Sequence, residues 1–193
     1  MTAPVRWITD GVRQASLTYR SPALLMVGGV PGSGKSDLIR RCVPAGAVVL
    51  DADQYRGQVQ HERGLPREAF YPSCIPEARD RFLRDLRAAA DARRNIVVDA
   101  ALLSAHSRDE LARTASEHAL QSHLLVVCAT LQQCLEGVAN RARTVQPDHV
   151  ERYWSMWESL RAELEAGRCD AALSSVTVVD RQAAGHLRQV IFN

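Results

Sequence analysis

Lysine is almost missing from this chain. Of its 193 residues one is lysine, Lys35, against twenty-three arginines. A protein that uses arginine everywhere else and lysine once marks a position where a planar, forked guanidinium does not serve and a compact ammonium does. Long apolar runs are missing too. No stretch approaches the roughly 20 apolar residues that a bilayer-crossing helix needs. The segment Met1-Thr2-Ala3-Pro4-Val5-Arg6-Trp7 has no apolar core of a secretory signal. Cysteine is sparse: Cys42, Cys74, Cys128, Cys134 and Cys169 are odd in number and form no C-x-x-C pair. That excludes a zinc-ribbon spacing and a disulfide framework, and predicts reduced thiols in a cytoplasmic protein. The formal net charge is only +2, which argues against a strongly basic nucleic-acid binder and against disorder.

What is present is concentrated around the lone lysine. It sits in Gly29-Val30-Pro31-Gly32-Ser33-Gly34-Lys35-Ser36, a full G-x-x-x-x-G-K-[ST] match. In such a loop the glycines let the backbone turn tightly and aim its amides at an anion. The following helix adds its free N–H groups and dipole. The apolar run Ala23 to Val27, after Ser21-Pro22, predicts a buried strand before the loop, and Ser36 to Arg41 predicts a helix after it. Lys35 is then expected at the β- and γ-phosphates of ATP, with the Ser36 hydroxyl on Mg2+. Gly29, Pro31, Gly32, Ser33, Gly34, Lys35 and Ser36 form the expected nucleotide-binding set.

Further β-branched and leucine-rich runs follow at Ala47–Asp51, Asn95–Asp99, Ser122–Cys128 and Ser175–Asp180. Helical segments are expected near 36–43, 77–93, 106–120, 130–142, 148–167 and 181–191. This alternation predicts an α/β fold: a three-layer sandwich with a parallel sheet of about five strands and helices on both faces. Residues 1–193 are expected to form one domain, with 1–20 as an N-terminal helical extension carrying Trp7, Ile8 and Val12. The Pro-rich stretch from Gly64 to Pro76 reads as a long loop and candidate substrate lid. In parallel sheets the ligand crevice lies beyond the carboxyl ends of the strands. Asp51, Asp53 and Asp99 all fall there.

Asp53 and Arg56 stand three residues apart just past the second expected strand, Ala47–Asp51. A carboxylate there can accept a hydroxyl proton, and an arginine one turn on can meet phosphoryl oxygens as charge shifts. The alternative reading is a helix N-cap at Asp53 with a solvated Arg56. Asp51 is the rival base, or a group that holds water on Mg2+. Arg141 and Arg143 precede Pro147 and suggest a lid that lays guanidinium groups over phosphates. The alternative is a pair of surface arginines. Arg79, Arg81, Arg84 and Arg87 are interleaved with Asp80 and Asp85, which reads as an ion-paired helix face more than as a basic groove. Tyr153, Trp154 and Trp157, at helical spacing, read as packing residues.

Taken in this order, from Leu24 to about Trp157, these motifs resemble the P-loop kinases of the polynucleotide 5'-hydroxyl kinase type, with a more distant likeness to zeta-toxin and chloramphenicol phosphotransferase kinases. The resemblance implies Asp53 as general base and Arg56 as a phosphate-binding arginine, from the D-x-x-R match. It implies Asp99 as an acid needed for activity, placed on the metal or the acceptor, and Arg141 as the lid arginine. The chain departs from the pattern at Gly137, where members often carry another arginine; Arg143 is then the substitute candidate.

The expected activity is transfer of the γ-phosphoryl group of ATP to a hydroxyl acceptor, either a polynucleotide 5' end or a small molecule such as a nucleoside, sugar nucleotide or antibiotic. A regulatory ATPase module is the alternative from another class. A GTPase would need an N-K-x-D motif, and no second lysine exists to supply it. The H-R-D and D-F-G motifs of protein kinases are absent as well.

Overall fold

A computed structural model describes residues 3–9, 15–66, 69, 71–139, 145–170 and 172–193. In chain order its elements are β1 (Val5–Ile8), β2 (Ser16–Tyr19), β3 (Ala23–Gly28), α1 (Lys35–Cys42), β4 (Val48–Asp51), α2 (Ala52–Glu62), a 3-10 turn (Pro72–Cys74), α3 (Ile75–Asp91), β5 (Ile96–Asp99), α4 (Ala105–Glu117), β6 (Gln121–Cys128), α5 (Leu131–Ala139), α6 (Pro147–Glu165), β7 (Ser175–Asp180), α7 (Arg181–His186) and β8 (Gln189–Phe192). Six strands form one sheet in the order β1-β7-β6-β3-β5-β4, every pairing parallel. β2 and β8 form a separate parallel pair.

The sheet is covered on both faces, which is why its central strands read as continuous apolar runs. Side chains alternate across it. Leu24, Met26, Val98, Leu124 and Val126 pack on one face with α3, α4 and α6 through Leu86, Leu111 and Leu160. Leu25, Val27, Val97, Leu125 and Val127 pack on the other with Leu38 and Ile39 of α1, Ala183 and Ala184 of α7, and Leu17 and Val190 of the β2–β8 pair. Each fully buried Leu or Val contributes on the order of 1.5–3 kcal/mol, so the central strand β3, buried at all six positions, is firmly fixed. The phosphate loop springs from its carboxyl end.

Helix starts follow local chemistry. Ser104 caps α4 by accepting from the Ser107 N–H, and proline opens α3 and α6, where its missing N–H costs nothing. Among the described residues no helix is long and apolar enough to cross a membrane.

Three expectations are corrected. The N-terminal extension is not helical where described: Val5–Ile8 and Ser16–Tyr19 are strands. Leu17 and Tyr19 point inward and Thr18 outward, a period of two that suits a strand. The main sheet, expected at about five strands, has six, because β1 adds to the edge beside β7. The last helix stops at His186, and the β-rich Val190, Ile191 and Phe192 continue as β8 along β2. The helix α2 fills the interval between β4 and the Pro-rich stretch. Leu65 and Tyr71 of that stretch pack on Val59, Cys74 and Ala78, which join α2 to α3.

Candidate active site

The loop from Gly29 to Ser36 passes from the end of β3 into α1. It is built around positions where a side chain cannot sit. Gly29 has a φ of 140°, and a Cβ there would lie 2.4 Å from Val127 O. Gly32 has a φ of 87°, and its Cβ would lie 2.1 Å from Cys134 O. Both are left-handed conformations that favour glycine. Ser33 is fully buried, and its Oγ has no hydrogen-bond partner. Lys35 is only 8% exposed and its Nζ donates to Gly29 O at 2.9 Å and Val30 O at 3.2 Å. The ammonium therefore rests against the loop's own carbonyls. The first intrahelical bond of α1 runs from Leu38 N–H to Gly34 O, so the amides of its opening turn have no helical acceptor. An orphaned hydroxyl, an ammonium that donates to loop carbonyls and the amides of the opening helical turn make a donor set that fits an anion such as a polyphosphate. Ser36 is exposed at that turn.

Strand register brings the acids to the same end of the sheet. Asp99 pairs with Val27, one residue before the loop's strand ends, and with Asp51 on the other side. Asp99 is 7% exposed. Asp51 is the N-cap of α2: its Oδ1 accepts from the Asp53 N–H at 2.8 Å and the Gln54 N–H at 3.3 Å. The capping alternative thus belongs to Asp51, not Asp53. Asp53 lies in the first turn of α2 with its side chain 62% exposed, ion-paired to Arg56. Tyr55, between them, is turned the other way. Its hydroxyl donates to Asp85 Oδ2 at 2.7 Å and its ring meets Phe82 edge-on, which locks α2 onto α3. Among the described residues no group of three His, Cys, Asp or Glu is placed to hold a metal.

Arg141 and Arg143 lie outside the described residues. The helix that leads to them is placed: α5 lies directly on the phosphate loop, and a Cβ on Gly137 would come 2.4 Å from Gly32 O. Sequence reasoning noted Gly137 only as a missing arginine. A glycine inside an otherwise good helix was the available signal for a close backbone approach.

Cys134 sits at this contact, and burial raises its thiol pKa despite the nearby Lys35. Cys128, which closes β6, is pushed up to about 11 by burial. Both are inert protonated thiols at neutral pH. All five cysteines are free. A cavity of about 520 Å3 opens beyond the ends of β1, β6 and β7, walled by Trp7, Cys128, Trp154 and Trp157. Its charged residues are already engaged: Arg181 donates to Gln133 O at 2.8 Å, and Asp180 caps α7. Trp157 is buried, with Tyr153 and Trp154 packed around it, as their spacing suggests. On α3, Arg79 pairs with Glu110, and Arg81 with Glu62 and Glu77.

A family model described as an AAA domain matches residues 24–166. Among solved structures, a chain of the Pnkp1/Rnl/Hen1 RNA repair complex superposes with a TM-score of 0.62 at 17% identity, covering 75% of this chain and 47% of that one. The present chain therefore spans less than half of that chain's length. A kinase-assigned protein from Chloroflexus aurantiacus gives 0.59 at 16% identity, covering 83% and 89% of the two chains. A gluconokinase from Sinorhizobium meliloti gives 0.52 at 18%, covering 87% and 93%. Identities this low speak to the fold alone, a parallel α/β sandwich consistent with the P-loop NTPase fold. No curated protein matches the chain.

Proposed function

The chain belongs to the AAA-domain family, and we propose that it is a kinase that moves the γ-phosphoryl group of ATP to a hydroxyl acceptor. The observation that carries this reading is the register Val27–Asp99–Asp51 across β3, β5 and β4. It sets two carboxylates beside the phosphate loop, and α2 then delivers Asp53 and Arg56 past the same strand ends. An acid and an arginine one turn apart past the strand ends suit a transferase, the acid as base for the acceptor hydroxyl and the arginine on the phosphoryl charge.

The loop amides, Ser33 and Lys35 hold the β- and γ-phosphates. To do so Lys35 trades its contacts with Gly29 O and Val30 O for phosphate oxygens. Mg2+ when bound would neutralise phosphate charge. Ser36 would be its protein ligand, and Asp99 and Asp51, which end neighbouring strands, would orient its water, in keeping with an ion that relies on phosphate and water more than on a protein cage. Asp53 takes the proton of the acceptor hydroxyl. The freed oxygen bonds to the γ-phosphorus as the bond to the β–γ bridging oxygen breaks, and ADP leaves. Arg56 moves from Asp53 toward the phosphoryl oxygens, where its charge offsets the charge that develops in transfer; Arg141 and Arg143 are assigned to the same phosphates on the motif resemblance alone.

The acceptor read first is a polynucleotide 5'-hydroxyl, the class suggested by the motif order and by likeness to a chain of an RNA repair complex. A small-molecule alcohol is the second reading. It is favoured by α3, where Arg79 and Arg81 are engaged in ion pairs instead of standing free for phosphates, and by likeness to a gluconokinase along 93% of that chain's length. Labelled γ-phosphate transfer, run against 5'-hydroxyl oligonucleotides, nucleosides, sugar acids and sugar nucleotides, separates the two. Release of ADP at equal rates with and without every acceptor, and no labelled product, would instead support a regulatory ATPase.

A further inference from the structure

Among the described residues one arginine is sealed in the interior, and it has no part in the chemistry above. Arg108, on α4, is 2% exposed. Its Nε and Nη2 donate to the two carboxylate oxygens of Asp170, and its Nη1 donates to Leu102 O at 3.1 Å. Asp170 lies in the connection between α6 and β7. Leu102 lies in the connection that follows Asp99, and it holds a left-handed φ of 53°, which a leucine rarely adopts. Ala101, one residue earlier, accepts the Gly29 N–H at 2.8 Å. That amide is the first of the phosphate loop. Ala100 in turn donates to Val27 O, and the absence of a side chain at Gly28 leaves room for the connection, since a Cβ there would sit 3.0 Å from Ala101 O.

A buried ion pair of this kind adds little net stability over apolar residues of the same volume, because both charges must be stripped of water. What it adds is direction. The guanidinium fork is rigid, so it fixes Leu102 O relative to Asp170. The strained connection is thereby held where Ala101 O can anchor the loop and where Asp99 ends its strand facing it.

We propose that Arg108 is a positioning residue: clamped by Asp170, it holds the connection after β5 and through it sets the phosphate loop against Asp99. The functional consequence rests on the kinase reading; the anchoring of Gly29 does not.

The test uses the full chain with Arg108→Met and Asp170→Leu combined, which removes both charges while roughly keeping volume. The melting temperature is expected to stay close to the parent's. Exchange of the Gly29 amide, followed by NMR without nucleotide, should quicken at least roughly tenfold. The KM for ATP should rise, and kcat fall, by roughly tenfold or more as the loop loses its alignment. Arg108→Lys is the second variant, for use if the first does not fold. Its ammonium can meet Asp170 but lacks the planar fork to hold Leu102 O as well, so it should show the same faster Gly29 exchange. A folded variant of either kind with parental Gly29 exchange and parental KM and kcat overturns the proposal. If the parent chain transfers no phosphate, the kinase reading falls while Gly29 exchange still decides the anchoring.

Discussion

Gly32 of the phosphate loop and Gly137 of α5 meet backbone to backbone. A Cβ on Gly137 would lie 2.4 Å from Gly32 O and 3.0 Å from Gly32 Cα. Neither neighbour is the end of a flexible side chain, so the contact can be relieved only by moving α5 or the loop. The helix that leads to Arg141 and Arg143 is therefore seated on the very residues that would wrap a phosphate, and glycine at 137 is the condition for that seat.

An alanine at 137 consequently tests the contact by sign. In an open helix position Gly→Ala stabilises by up to about 1 kcal/mol, and Gly57 in α2, with nothing within 4 Å of its Cβ, should behave so. At Gly137 the overlap should dominate and destabilise by about 1–3 kcal/mol. Urea unfolding of Gly57→Ala and Gly137→Ala should move in opposite directions. A gain at both positions means α5 is not seated on the loop.

Lys35→Arg keeps the charge and should still disable the protein. The side chain is 8% exposed and its Nζ lies between two loop carbonyls, a slot without room for a fork. A fall in kcat/KM of roughly 100-fold or more is expected from the misplaced phosphates, read by steady-state phosphate transfer. Near-parental turnover would remove the reason given for the chain's solitary lysine.

The strands β3 to β7 were legible because each is a short continuous run of β-branched and leucine residues, several of them ending at an acid. β1 and β2 were not. β1 is an edge strand with Arg6 and Trp7 turned outward, and β2 pairs with β8 at the opposite end of the chain, a partner that no local pattern announces. The i, i+3 pairing of Asp53 with Arg56 could be read from spacing. Which aspartate caps α2 could not, since both are good caps and the answer depends on β4 ending at Asp51. Gly137, a glycine inside a helix, signals a close backbone approach but does not name Gly32 as its partner; the Arg108 clamp reaches Leu102 through a backbone carbonyl, for which sequence carries no residue-type signal.

Asp53→Asn should stop transfer and spare the fold. The Asp53 side chain is 62% exposed in its pair with Arg56, and an exposed pair contributes under about 1 kcal/mol. Loss of the base should cost about 100- to 10,000-fold in kcat, with ATP affinity nearly unchanged in a binding titration. Asp51→Asn should act differently. It weakens the α2 cap, and because the amide oxygen still accepts, the cost is a fraction of the 0.5–2 kcal/mol (roughly) lost when a cap is removed outright. If the two variants lose transfer equally while both remain folded and bind ATP, Asp53 is not distinguished as the base.

His123 sets a pH dependence of stability away from the site. It is 6% exposed on β6, with Nδ1 2.8 Å from Ser175 Oγ and its ring centroid 4.8 Å from that of Tyr19, the two rings tilted at 43°. Burial lowers its pKa from 6.5 to about 4. Between those values the unfolded chain binds the proton and the folded chain does not, so acid favours unfolding. The contribution of His123 is complete above the unfolded value, declines as pH falls through the interval, and is exhausted below the folded value. Over the whole interval the loss is on the order of 3 kcal/mol. His123→Phe keeps the ring and has no proton to take up. Urea midpoints measured from pH 7 down to pH 4 (roughly the window of the shift) should therefore fall more steeply in the parent than in the variant. Parallel curves would show that the imidazole is charged in the folded protein or that the segment opens before the rest unfolds.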